Sequence, residues 1–129
     1  MFIRIYKMQS YINGMKKTTG LKFLRNHVCN RVFNSTKRPT HAYITITSVC
    51  NSKCKYCDIW KNRAEGEPTT DEWKAIIDEL AALGVVTLTY SGGEPLIRKD
   101  LFELASYAKS RGLITMVVTN LSLFKESHI

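Results

Sequence analysis

Two periods of apolar residues divide this chain into its elements. Residues 42–47 (AYITIT) are β-branched and aromatic, the pattern of a strand. Trp73, Ile76, Ile77, Leu80 and Leu83 recur at helical spacing, which predicts an amphipathic helix over about 70–83 with these five on its apolar face. Thr69 and Glu72 have the spacing of a capping box at its start, and Gly84 is a natural stop. Residues 85–90 (VVTLTY) predict a second strand. A second helix starts at Asp100 or a neighbour (DLFELASYAKSR), with Leu101, Leu104, Ala105 and Ala108 inward and Gly112 at its end. Residues 113–119 (LITMVVT) predict a third strand and 122–129 the start of a third helix. Strand, helix, strand, helix, strand with nearly continuous apolar strands implies an α/β fold, its strands parallel and joined by right-handed crossovers.

The first forty residues read differently. Apolar Leu21, Leu24, Val28 and Val32 predict an amphipathic helix over 21–33. The whole chain has 19 basic and 11 acidic residues, a net +8. Nine of the basic residues and none of the acidic ones lie in 1–41, so 42–129 holds 10 against 11, or −1. The division expected is a basic arm over 1–38 and a core over 39–129. The basic helix packs on the wall of the fold with its charges in water, or it touches an anionic membrane surface. Nucleic acid is disfavoured, because no aromatics are interleaved for base stacking. No run of 18 apolar residues is present, so no transmembrane span is expected. The opening MFIRIYKMQS is interrupted by charge and is no secretory signal; Met15 is a second candidate initiator. Sparse cysteines without such a signal suit a reducing cytoplasm. Cys29 reads as a small apolar side chain of the arm helix, and His27 as a surface residue.

In parallel α/β folds ligands bind at the carboxyl ends of the strands. The first strand runs into Cys50, Cys54 and Cys57, the second into Ser91, Gly92, Gly93, Glu94 and Pro95, the third into Thr119 and Asn120. Three thiolates in one loop are a metal trap one ligand short of a closed site, since iron–sulfur clusters and structural zinc both take four. Zinc would need Cys29 or a histidine to complete it, giving a non-catalytic metal-binding module. A redox dithiol would leave Cys50 unexplained. The two glycines let the backbone turn sharply and approach a ligand, Glu94 presents a carboxylate, and Pro95 stiffens the exit.

With C-x-x-x-C-x-x-C at Cys50, Cys54 and Cys57, aromatic Tyr56 before the last cysteine, and Gly92-Gly93-Glu94-Pro95 after the next strand, the chain resembles the radical S-adenosylmethionine (SAM) superfamily. The resemblance covers about residues 39–123, and its texture is closest to the branch of molybdenum-cofactor, quinone-cofactor and peptide-maturating enzymes. It implies that the three cysteines hold three irons of a [4Fe–4S] cluster and that SAM chelates the fourth. One electron then breaks the sulfonium, giving methionine and a 5′-deoxyadenosyl radical that abstracts hydrogen from a substrate, small molecule or peptide. It further implies that Glu94 and the Gly92–Gly93 backbone receive the methionine ammonium. The backbone near Tyr56 would border the adenine, and Thr119 and Asn120 would face the cofactor. A flavodoxin- or ferredoxin-like protein would supply the electron. The family often has Gly after that Asn; here Leu121 follows.

The family builds a partial (β/α)6 TIM-like barrel. With 129 residues and three predicted strands, the chain is expected to hold the first part of that barrel, a truncated core whose third strand offers an open edge.

Overall fold

A computed structural model describes residues 39–61 and 65–125, together with Gly20, Leu21, Leu24 and Val28, whose backbone is helical. The rest of the basic arm, including the other residues of its expected helix, His27 and Cys29, lies outside the described residues.

The elements are β1 (His41–Thr47), a 3-10 turn (Ile59–Lys61), α1 (Thr70–Leu83), β2 (Thr87–Gly92), a second 3-10 turn (Pro95–Ile97), α2 (Leu101–Ser110) and β3 (Ile114–Val117). The three strands form one parallel sheet in the order β1-β2-β3. Register places Thr45 beside Ser91 and Tyr90 beside Val117, so all three strands end at the same edge. The β1–β2 register shifts between Thr45 and Thr47, where β1 turns toward the cysteines.

α1 begins as the capping box requires. The Thr69 hydroxyl accepts from the Glu72 N–H, and the Glu72 carboxylate accepts from the Thr69 N–H at 2.7 Å. It stops at Gly84, whose φ of 94° is left-handed. Trp73 and Ile77 are buried, with Ile76, Leu80 and Ala81 packed beside them. Leu83, expected on this face, is 56% exposed. At about 100° per residue it sits roughly 80° round the helix from Trp73, at the margin of the stripe.

β2 starts two residues later than expected and runs on to Gly92. Val85 and Val86 are buried but belong to the connection, their N–H groups donating to Leu80 and Thr40 carbonyls at 3.1 and 3.0 Å. Val85 packs in the core, while Val86 still bonds across the sheet, its carbonyl accepting from the Ile114 N–H at 2.8 Å. β3 is only four residues long, shorter than its apolar run. Residues 122–125, expected to open a third helix, are not helical; a 3.1 Å bond from Phe124 N–H to the Leu121 carbonyl closes a turn over 121–124.

Ile46, Leu88 and Tyr90 project from the sheet into one core with Trp73, Ile77, Leu101, Leu104, Ala108 and Leu113. Each large apolar side chain fully buried there stabilises the fold by about 1.5–3 kcal/mol. The Tyr90 hydroxyl donates to the Leu104 carbonyl at 3.0 Å, which meets its polar need inside the core. Burial raises its pKa above the ordinary tyrosine value. On the opposite face of the sheet, His41 stacks on Tyr43 at 4.5 Å and bonds the Thr89 hydroxyl at 2.7 Å. Among the described residues no helix is long and apolar enough to cross a membrane.

Candidate functional site

The carboxyl edge of the sheet gathers the loops singled out by sequence. The loop after β2 is built first. Glu94 caps the Pro95–Ile97 turn: its side chain accepts from the Leu96 N–H at 3.0 Å, and Pro95 occupies the first position, where a missing N–H costs nothing. Gly92 and Gly93 bring this loop against the backbone that leads to the cysteines. Gly93 N–H donates to the Thr47 carbonyl at 2.8 Å, and Glu94 N–H to the Val49 carbonyl at 2.9 Å. A Cβ at Gly92 would stand 2.2 Å from the Thr47 oxygen, and one at Gly93 would stand 2.1 Å from the Val49 oxygen. The close approach that demands glycine is therefore, in this structure, one of backbone to backbone.

The Glu94 carboxylate has no solvent exposure. Beyond Leu96 it takes the Thr119 hydroxyl at 2.7 Å and the Asn120 N–H at 2.8 Å. Three donors from the chain thus converge on it, and they join the ends of β2 and β3. Asn120 continues the chain of contacts. Its side-chain nitrogen donates to Asn51 Oδ1 at 3.0 Å and to Ser52 Oγ at 2.9 Å, between the first two cysteines.

Cys50 is half-buried, Cys54 and Cys57 are exposed, and all three are free thiols. The Ser52 N–H points at Cys50 Sγ at 3.4 Å, and Cys57 N–H donates to the Cys54 carbonyl at 3.3 Å. Among the described residues no three His, Cys, Asp or Glu side chains converge as they would on one metal ion. In an iron–sulfur cluster each thiolate takes a different iron. Tyr56 is 94% exposed, with the Lys55 ammonium 5.7 Å from its ring centre, and stands apart from the Glu94 network.

Four residues of this edge escaped the sequence reading. Glu67, between the cysteine loop and α1, accepts from Thr47 Oγ1 and Ser48 N, both at 2.8 Å, and from Ser48 Oγ at 3.2 Å. Burial opposes its ionisation, but these bonds and Arg98 outweigh that and lower its pKa. Arg98 holds Asp100 with two bonds, at 2.9 and 2.7 Å, and also donates to the Ile46 and Pro68 carbonyls. Asp100 stands at the N-cap of α2 but makes no cap bond, because its oxygens face Arg98 and the Thr70 hydroxyl. The Arg98 bonds bring its pKa down to about 2. Asn51 and Ser52 are the other two residues missed. Residues with ordinary loop composition announce no partner that lies some seventy positions away in sequence.

A parallel α/β sheet with a cysteine loop docked on a Gly-Gly-Glu-Pro loop defines a class of cofactor-binding proteins, and comparison with known proteins gives it a name. Residues 44–129 match the model of the Radical SAM superfamily, and the chain belongs to that family. The family uses a [4Fe–4S] cluster and SAM. The chain is 40% identical over 93 residues to a PqqA peptide cyclase of Bradyrhizobium diazoefficiens, covering 70% of this chain and 24% of the relative. It is 42% identical over 93 residues to an Fe-coproporphyrin III synthase of Methanosarcina barkeri, covering 68% and 22%. The fold matches the crystal structure of Streptococcus suis SuiB bound to S-adenosylmethionine with a TM-score of 0.65 at 22% identity, covering 80% of this chain and 24% of that one. The chain thus spans about a quarter of the length of these proteins.

Proposed function

We propose that residues 39–129 are the amino-terminal part of a radical SAM core, the first three strands of its partial (β/α)6 barrel, with 1–38 as a separate basic arm. Cys50, Cys54 and Cys57 then hold a [4Fe–4S] cluster and leave one iron for SAM. The observation that supports this most is the pair of backbone bonds, 2.8 and 2.9 Å, that seats the cysteine loop on the Gly92–Glu94 turn. A zinc module has no use for that turn.

When bound, the cluster and SAM supply reductive cleavage of the sulfonium to methionine and a 5′-deoxyadenosyl radical, which takes a hydrogen atom from the substrate. The chain's part is to bind and orient. Cys50 and its two partners present thiolates from a loop pinned at Thr47, Val49, Asn51 and Ser52. The Gly92–Gly93 backbone and Glu94 would receive the methionine ammonium. Pro95 keeps the turn stiff, the backbone at Tyr56 borders the adenine, and Thr119 and Asn120 close the third side. The electron comes from a flavodoxin- or ferredoxin-like carrier in the cytoplasm. A peptide is the substrate class we favour, after the likeness to a PqqA peptide cyclase.

Anaerobic reconstitution with iron and sulfide tests this reading. The expected result is about four irons per chain and a broad absorption band bleached by dithionite. Cys50→Ala, Cys54→Ala and Cys57→Ala should each lower the iron content. If these three leave it unchanged while Cys29→Ala lowers it, the assignment is wrong.

A further inference from the structure

We infer that Asn120 is a positioning residue, whose side chain ties the cysteine loop to the end of β3 and so orders the loop before any metal arrives. The inference rests on the cluster reading above only for what the ordered loop is for; the tie itself is a property of the metal-free chain.

Asn120 is held on both sides. Its N–H donates to the buried Glu94 carboxylate, and its neighbour's hydroxyl, on Thr119, binds the same group. This fixes where the Asn120 backbone lies. Ser122 then sets the direction of the carboxamide: Asn120 Oδ1 accepts from Ser122 N at 2.9 Å and from Ser122 Oγ at 2.6 Å. With its oxygen taken, the amide nitrogen is left to face the cysteine loop, where it reaches Asn51 Oδ1 and Ser52 Oγ. Asn51 Nδ2 returns a bond to Ser122 Oγ at 2.8 Å, which closes a ring of hydrogen bonds across three side chains. Ser52 in turn aims its N–H at Cys50 Sγ. The path runs from a buried carboxylate, through Asn120, to the first cysteine.

A loop that must bring three thiolates onto one cluster loses conformational entropy on binding, and that loss weakens binding unless the loop is already ordered. The first part of the loop is ordered by the bonds to Gly93, Glu94 and Glu67. Those bonds end at Val49. Among the described residues the Asn120 bonds, together with the Asn51–Ser122 bond, continue the ordering past Cys50. Partners that orient ligands without touching the metal commonly change metal affinity by about 10–100-fold when removed.

The test compares wild type, Asn120→Ala and Asn120→Asp as full chains, first metal-free and then reconstituted with iron and sulfide. Asn120→Ala removes every side-chain bond but keeps the N–H to Glu94. Asn120→Asp keeps the acceptor for Ser122 but removes both donors to the cysteine loop. Hydrogen exchange in the metal-free chain should speed up about tenfold at 50–57 in Asn120→Ala, with β2 and α1 and the melting temperature unchanged. Survival of the reconstituted centre under EDTA should shorten about tenfold, and the electron paramagnetic resonance lines of its reduced form should broaden. Asn120→Asp, with no side-chain N–H to give Asn51 and Ser52, should resemble Asn120→Ala in both. Unchanged exchange at 50–57 in Asn120→Ala overturns the inference, as does an Asn120→Asp variant that exchanges as slowly as wild type. A wild-type chain that takes up no iron overturns the functional reading instead, and the exchange comparison then decides the tie alone.

Discussion

The backbones of Gly93 and Val49 meet with no room for a side chain between them. The Val49 carbonyl accepts the N–H that follows Gly93, and a Cβ on Gly93 would lie 2.1 Å from that same oxygen. The Gly92 and Thr47 pair repeats the relationship one step earlier, at 2.2 Å. A methyl group at either position cannot be absorbed by rotating a flexible side chain, because the atom it meets is backbone. Gly92 adds a φ of 128°, a region that L-residues rarely adopt.

Gly93→Ala should therefore separate the two loops. The expected cost is about 2 kcal/mol or more in urea unfolding, at the upper end of single-substitution effects. Iron uptake on reconstitution should fall with it. Full stability and full iron content in Gly93→Ala would show that the loops can part without consequence.

The Arg98–Asp100 pair makes a prediction in pH. Asp100 titrates at about 2 in the fold, below its ordinary 3.8, chiefly through its bonds from Arg98. A carboxylate with a depressed folded pKa stabilises the protein above its unfolded pKa, and that contribution is lost as pH falls through the folded value. The window is thus from about pH 4 down to about 2. The shift corresponds to about 2 kcal/mol, with side chains only 18% and 13% exposed. Glu67, also lowered, acts in the same direction. Stability measured from pH 6 to 2 should drop through this window in wild type, and the difference from Asp100→Asn should shrink across it. A constant difference would remove the pair from the account of acid sensitivity.

Much of this arrangement was legible in the sequence, for reasons that differ by element. The α1 capping box and the Gly84 stop are local: Thr69, Glu72 and Gly84 act on groups within one turn of themselves, so spacing reveals them. The cysteines and Gly-Gly-Glu-Pro were visible as residue types, and parallel topology alone brought them to one edge. β2 starts later than its apolar run because Val85 is apolar for the core, its N–H donating back to the Leu80 carbonyl and not across the sheet. The supports of the site were hidden. Glu67, Arg98 and Asn51 work through partners far away in sequence, and a carboxylate in a linker looks the same whether it is solvated or holds Thr47 and Ser48. Glu94 was read as a group facing a ligand, yet its oxygens carry bonds that no pattern of spacing encodes.

Leu121 offers a gain in stability. Its φ of 63° lies in the left-handed region, where a Cβ costs about 1–2 kcal/mol. The side chain is 61% exposed, so little burial is lost by removing it. Asn tolerates this backbone without the added unfolded-state freedom of glycine. Leu121→Asn should raise stability by about 0.5–1 kcal/mol, or a few degrees in melting temperature. Leu121→Gly should give a smaller gain. Destabilisation by both variants would mean that the leucine side chain contributes packing that outweighs its backbone strain.

Glu94→Gln separates the two duties placed on this residue. One is internal: the carboxylate accepts from Leu96, Thr119 and Asn120, and an amide in its place turns one acceptor into a donor. That donor must face an N–H or compete with a hydroxyl in a site without solvent exposure. Leaving buried groups unmatched there costs about 1–3 kcal/mol. The loss should appear in the metal-free chain, as a lower unfolding midpoint and faster exchange at 118–120. The other duty is toward the methionine ammonium, and it would appear only as weaker SAM binding to the reconstituted chain, measured by equilibrium dialysis. Thr119→Val provides the control, since it removes one of the same internal bonds and leaves the charge in place. If Glu94→Gln and Thr119→Val weaken SAM equally for equal losses of stability, Glu94 acts through the fold. If Glu94→Gln weakens SAM further by about tenfold, the charge itself reaches the cofactor. A metal-free Glu94→Gln chain as stable as wild type would contradict the three-donor geometry on which both readings depend.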